Sequence, residues 1–251
     1  GDAVSGSIGA NYNLFDDALI LRGQWSLNFV APTLNDLYWP DAGNPELKPE
    51  TNQKGELGIL SIHEYGGGRF EAEVNGFAGT QTDGILWVFG QNGLSVRNVN
   101  EIETRGLELS LKNELQFSSD LTLSVEAGSI YTDASITDDE SNPGAEGGQL
   151  VYVPEWSHRA HLNLNWRNFT AGTDIRYTGE RYTTQDNSQT EPLSSFTETD
   201  LFGRINLPID RYRVSITARV RNLGDSQNQF INGYPLPGRS YMVTARFGFN
   251  P

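Results

Sequence analysis

Along most of the chain, apolar and polar residues alternate with period two. From Leu19 to Phe29 one set reads Leu19, Leu21, Gly23, Trp25, Leu27, Phe29, and the other reads Ile20, Arg22, Gln24, Ser26, Asn28. Ala160, Leu162, Leu164 and Trp166 alternate with Arg159, His161, Asn163 and Asn165. The same holds for Val214 to Val220 against Arg213 to Arg221, and for Tyr241 to Phe249 against Met242 to Gly248. Successive residues of a strand face opposite sides, so each run predicts a strand with one apolar and one polar face. Eleven strands are expected, over 3–15, 18–31, 51–63, 69–83, 101–116, 121–134, 156–167, 169–182, 197–209, 212–223 and 238–249. Many have the roughly 9–11 residues that a tilted strand needs to cross a bilayer.

The connections alternate in length. Short ones lie at Asp16-Asp17, 64–68, 117–120, Arg167-Asn168 and Asp210-Arg211, and long ones at 32–50, 84–100, 135–155, 183–196 and 224–237. Short turns on one side and long loops on the other is the layout of an antiparallel transmembrane β-barrel. In that layout Arg22, Glu108, Arg159, Arg176, Arg204, Arg219 and Arg246 face the lumen, while Leu21, Leu164 and Val220 face lipid. Trp25, Phe29, Trp166, Tyr177, Tyr241 and Phe247 on the apolar faces suit interfacial girdles.

Composition narrows the alternatives. The chain has 251 residues, of which 37% are apolar, and no apolar run approaches the 18 or so residues of a spanning helix. A barrel escapes that test because only alternate residues meet lipid. The net charge of -14 argues against nucleic acid as a partner. Without cysteine there is no disulfide framework and no thiolate metal site. His158 and His161 are three apart on a strand and so face opposite sides, and no paired nucleophile and base or phosphate-binding loop is present. No catalytic residue, metal site or cofactor is expected, and the chain reads as no enzyme.

One stretch departs from the pattern. Asn28 to Thr51 carries Pro32, Pro40, Pro45 and Pro49, which exclude continuous strand or helix, yet it also holds Leu34, Leu37, Tyr38 and Trp39. A long aromatic loop on a rigid scaffold is either a binding loop or a self-packed cover. Candidate ligand contacts in the long loops are Tyr38, Trp39, Trp87, Phe89, Arg97, Tyr152, Phe230 and Tyr234. For 84–100 the alternating run from Ile85 to Phe89 favours an extension of the sheet. Asp138, Asp139, Glu140 and Glu146, with no Lys or Arg nearby in sequence, read as a solvated acidic loop rather than a calcium site.

Three separated segments carry a resemblance. Phe29-Val30-Ala31-Pro32 with Leu34, Leu37-Tyr38 and Asn44-Pro45-Glu46-Leu47-Lys48-Pro49-Glu50 resembles a segment of TonB-dependent outer-membrane receptors. Glu103 to Leu109 is similar to another, and Arg221 to Asp225 followed by Gly233 to Arg239 to the last extracellular loop and closing strand. The resemblance implies a location in the bacterial outer membrane and energy-coupled uptake of a scarce ligand, a metal chelate of the siderophore–iron or cobalamin-like kind. Passive diffusion through a pore and a structural or anchoring role stay open as alternatives. Haem is disfavoured, because Thr33 to Gly43 holds no histidine and Val30 stands where haem receptors carry arginine. The implied barrel has twenty-two strands and a plug. An odd count of eleven leaves first and last strands parallel and unable to close on each other. The chain is therefore expected to be a C-terminal barrel portion lacking the plug and first half. Its expected partners are another polypeptide supplying those strands and the plug, outer-membrane lipid, TonB and a small chelate.

Overall fold

The computed structural model describes residues 4–90, 93–188 and 192–249, with the side chains of residues 89 and 90 outside that description. Its strands are β1 (Gly6–Leu14), β2 (Leu19–Val30), β3 (Glu50–Tyr65), β4 (Gly68–Gly90), β5 (Gly93–Ser118), β6 (Leu121–Asp138), β7 (Trp156–Trp166), β8 (Phe169–Thr178), β9 (Phe196–Ile209), β10 (Tyr212–Arg221), β11 (Gln229–Ile231), β12 (Tyr234–Pro235) and β13 (Ser240–Phe249). Eleven form one antiparallel sheet in chain order, β1 to β10 and then β13, while β11 and β12 make a small hairpin in the last loop. Every expected strand is present.

The short connections are tight turns. Asp16 and Asp17 both take positive φ, 54° and 68°, as two-residue hairpins require. The 84–100 connection is the sheet extension that its alternation favours: Ile85 to Phe89 continues β4 and pairs with the start of β5, from Gly84↔Val99 to Gly90↔Gly93. The alternating run keeps its ladder partners because nothing in it interrupts strand pairing, so this hairpin rises above its neighbours. In contrast, β8 stops at Thr178, and among the described residues the chain between β8 and β9 forms an isolated bridge, Arg181↔Leu193.

Register decides which side chains share a face, because directly paired residues point the same way. Arg22 pairs with Gly58, Gly58 with Asn75, and Asn75 with Glu108, so Arg22 and Glu108 share one face. Arg159 pairs with Arg176, and Arg204 with Thr217, which leads to Thr244 and its neighbours Met242 and Arg246. The register thus carries all seven polar positions to one face, and Leu21, Leu164 and Val220 to the other.

The polar face is the concave one. Arg22 on β2 reaches Glu73 on β4 at 2.7 Å, and Arg219 on β10 reaches Asp174 on β8 at 3.2 Å, each skipping a strand. Adjacent strands lie about 4.8 Å apart, so such contacts need side chains that converge. The opposite face exposes its apolar residues, Leu57 at 75% and Phe247 at 76% among them. In water this area would drive aggregation; in a bilayer it is solvated by lipid. From Trp156 to Trp166, the two ends of β7, is about 34 Å of strand, or roughly 24 Å of depth at a 45° tilt. That matches the roughly 25 Å apolar band of such barrels.

Beyond the band, hydrophobic burial resumes. Val99, Ile102, Ile136 and Ala145 form a buried cluster, with Leu86 and Leu150 packed against it. The tall β4–β5 hairpin, β6 and the turn at Pro143–Ala145 therefore close a small core above the membrane.

Candidate functional site

The long 32–50 connection is ordered by a helix that its prolines do not announce. Helix α1 (Leu34–Tyr38) is only five residues long. Thr33 caps it: its hydroxyl accepts from the Asp36 N–H at 3.2 Å, and Asp36 Oδ2 accepts from the Thr33 N–H at 2.8 Å. The Thr-x-x-Asp spacing is the sequence signal for this capping box. The chain then folds back, with the Gly43 N–H donating to the Trp39 carbonyl at 2.8 Å. A side chain at Gly43 would meet the Trp39 nitrogen at 2.5 Å, so glycine is required for the close approach.

This cap also anchors the loop to the tall hairpin. The Trp87 indole N–H donates to Asp36 Oδ1 at 2.9 Å, and the Trp39 and Trp87 rings meet edge to face at 6.5 Å. The Thr33 hydroxyl bond, aided by the Thr33 and Trp87 N–H groups, holds the Asp36 carboxyl below the usual carboxylate range. Further along, the Lys48 N–H donates to Asn98 Oδ1 at 2.9 Å, and Asn98 Nδ2 returns to the Lys48 carbonyl at 3.0 Å. Tyr38 and Trp39 remain exposed, at 65% and 51%.

Arg97 has a different role from the one its sequence position suggests. It makes a two-pronged contact with Asp139, at 2.6 and 2.5 Å, and reaches Gln185 at 3.3 Å. Asp139 is fully buried and also accepts from the Ser141 and Asn142 N–H groups. The expectation of an acidic loop without a basic neighbour therefore needs correction at Asp139. Its partner comes from 42 residues upstream. Gln149 and Asn187 extend the network, the Gln149 N–H donating to Asn187 Oδ1 at 2.6 Å. The hairpin and two further loops are thereby joined.

The remaining candidates are separate. Tyr152 is half-buried at positive φ, its N–H donating to the Tyr182 carbonyl at 2.9 Å. Phe230 stands edge to face on Phe196 at 5.4 Å, and Tyr234 on β12 is 73% exposed. Phe89 has its side chain outside the described residues. So the structure brings Trp39 and Trp87 together and leaves Phe230 in a second group. Sequence reasoning missed Arg181, which belongs to that group. It is 1% exposed, lies 5.0 Å from the Phe196 ring centre and donates to the Ser194 carbonyl at 2.9 Å. Its Nε and Nη1 have no hydrogen-bond partner among the described residues, and burial pushes its pKa down. No local signal marks it, because the segment that pairs with it, at Leu193, lies twelve positions on in the sequence.

On the concave face Arg176 meets Asp200 at 3.3 Å, while Arg219 lies between Asp174 and Asp200 at 3.2 and 4.0 Å. Arg204 donates to the Thr217 hydroxyl at 3.1 Å. Glu108, Arg159 and Arg246 form no ion pair among the described residues. His161 contacts Asp174 on this face at 2.6 Å, whereas His158 stacks on Tyr177 on the other.

A sheet with one lipid-compatible face, a charged concave face and loops sorted by length defines an outer-membrane β-barrel wall. The chain belongs to the family described as TonB dependent receptor-like, beta-barrel, which it matches over residues 1–223. It is 26% identical over 243 residues to the vitamin B12 transporter BtuB of Photobacterium profundum, covering 95% of this chain and 36% of that protein. Against the iron-regulated outer membrane virulence protein of Vibrio cholerae it is 26% identical over 261 residues, covering 93% and 38%. Among solved structures, the copper transporter OprC superposes with a TM-score of 0.74 at 18% identity, covering 96% of this chain and 39% of that one. The chain thus spans a little over a third of the length of each.

Proposed function

We propose that this chain forms part of a receptor for energy-coupled uptake, across the outer membrane, of a scarce metal chelate of the siderophore–iron or cobalamin class. The observation that carries this reading is the aromatic group at the mouth. Trp39 and Trp87 are held by the Asp36 cap above a polar-lined wall, with Tyr38 exposed beside them. Flat, partly apolar ligands stack on such rings, and the Thr33–Asp36 cap limits the entropy lost on binding. Phe230 and Tyr234 approach the ligand from the last loop, while Arg97 serves through Asp139 as a strut between loops. The names of the relatives, a cobalamin transporter and an iron-regulated protein, support the ligand class.

The reading includes partners. β1 and β13 are both edge strands, and unpaired N–H and C=O groups in lipid cost several kcal/mol each. Further polypeptide therefore supplies the strands that pair with them, together with the plug, and TonB supplies energy from the periplasm. The reading is of transport and not of catalysis.

The test uses cells in which the receptor is the sole high-affinity route. Uptake of radiolabelled cyanocobalamin and of a ferric catecholate is measured with and without a protonophore. Uptake of one, abolished by the protonophore and reduced by Trp39→Ala, is the expected result. Uptake of either that persists at full rate with the protonophore identifies a passive pore and overturns the reading.

A further inference from the structure

The concave face is electrically divided. On β3 to β6 acids outnumber bases, with Glu56, Glu71, Glu73, Glu108, Glu114 and Glu126 against Lys54, Arg69 and Lys112. On β9, β10 and β13 the balance reverses, with five arginines against Glu198 and Asp200. The register sets these in order. Arg213 lies in the row with Pro208 and Gly248, Arg246 in the row with Ser215 and Asn206, and Arg204 in the row with Thr217 and Thr244. Arg219 follows in the row with Phe202 and Met242, and Arg221 in the row with Ser240. Each of five successive rows therefore contributes one arginine. From Arg213 to Arg221 is eight residues of β10, about 27 Å of strand, or roughly 20 Å of depth, most of an apolar band about 25 Å tall.

Pairing along this ladder is confined to one rung. Arg219 contacts Asp174 and Asp200 and lies 5.0 Å from the Phe202 ring centre. Arg204 bonds only to a hydroxyl, and Arg213, Arg221 and Arg246 have no carboxylate within ion-pair distance among the described residues. At the three lower levels the ladder partners are Asn206, Ser215, Thr217 and Thr244, which are neutral. A lone arginine on a wall is unremarkable. Five in unbroken vertical order, most without a counter-charge, form a strip of positive potential from one rim to the other.

We propose that this strip is an anion track: its arginines pass a carboxylate-bearing ligand along the wall, rung to rung. The planar guanidinium holds a carboxylate with two parallel bonds, and neighbouring rungs, on the same strand or one or two strands apart, have Cα atoms roughly 7–12 Å apart, a gap that long arginine side chains narrow so that a ligand with several carboxylates spans it. Rings or rows of Arg select anions in pores by the same electrostatics. The proposal rests on the uptake reading and refines its substrate to chelates with free carboxylates.

The receptor, expressed with whatever further sequence its gene encodes, is purified in detergent and titrated calorimetrically with citrate. Binding should be saturable and should weaken several-fold as salt rises from about 20 to about 200 mM. Replacing the three lower rungs together (Arg204→Gln, Arg213→Gln, Arg246→Gln) should weaken it on the order of tenfold, about 1.4 kcal/mol, since citrate keeps the upper rungs while losing charge-assisted bonds at the lower ones. Lysine at the same positions should retain salt-sensitive binding. Heat-modifiable migration confirms that each variant is folded. Citrate affinity equal in the glutamine variant and the unaltered receptor overturns the proposal. So does absence of citrate binding with a lowered melting temperature in the glutamine variant, which identifies the strip as a seat for an acidic protein surface. The titration uses neither TonB nor a metal chelate. Its failure leaves the uptake reading standing, and failure of uptake leaves the titration intact.

Discussion

Arginine placed at three consecutive positions of β7 measures the orientation and depth of the sheet at once. Leu162 and Leu164 lie on the apolar face, and Asn163 between them on the concave face. Trp156 and Trp166 mark the two girdles. Leu162 is four residues from Trp166, about 13.6 Å of strand and roughly 10 Å of depth, which is close to the midplane. Leu164 is two residues from Trp166, so only about 5 Å inside the same girdle. Lipid-facing arginine costs roughly 2–4 kcal/mol at the midplane and about 0–1 kcal/mol near the interface. Leu162→Arg should therefore destabilise by about 3 kcal/mol and Leu164→Arg by about 1 kcal/mol, because the longer chain snorkels to the headgroups. Asn163→Arg should change stability by about 0.5 kcal/mol or less, since it enters a wet, already charged face. Reversible urea titration of the receptor refolded into phosphatidylcholine vesicles reads all three. If Asn163→Arg is as costly as Leu162→Arg, the assignment of faces is wrong. If Leu164→Arg exceeds Leu162→Arg, the depth scale is wrong.

Asp139→Ala leaves Arg97 largely buried without its partner and should cost on the order of 3 kcal/mol in the loop region, with Arg97→Ala partly relieving it in a double-mutant cycle. Because Asp36 has a lowered folded pKa, its stabilisation of α1 is present above the ordinary carboxylate pKa near 4 and is lost as pH falls through and below that value; Trp87 emission should shift over that range, and Asp36→Asn should abolish the shift. Protease added to intact cells should cut within 139–155 once Asp139→Ala has loosened it, and cleavage only after permeabilisation would reverse the topology.

What could be read from the residues alone follows from the physics of each level. Strand faces were legible because lipid on one side and water on the other enforce strict period two, as Leu19 to Phe29 shows. Strand ends were less so. The extension of β4 to Gly90 leaves the membrane without breaking its ladder, so hydropathy marks no boundary there. Helix α1 was hidden among prolines, though its Thr-x-x-Asp box was in plain view. The Arg97–Asp139 pair and the burial of Arg181 were illegible, because both are made by segments distant in sequence. For the loop aromatics, sequence identified residue types, and only the fold shows that Trp39 meets Trp87 while Phe230 meets Phe196.

The buried cluster of Val99, Ile102, Ile136 and Ala145 sits where the solvent changes. Below it, the sheet is held by hydrogen bonds that lipid makes obligatory; above it, by the expulsion of water from side chains. One polypeptide therefore has two stabilities set by two media. Mild urea should melt the crown while the wall persists, and a change of lipid thickness should strain the wall while the crown persists. In assembly the two media act on different steps: the wall forms where lipid meets its strands, and the crown closes only once β4, β5 and β6 are paired, because its buried residues come from all three and from the turn after them.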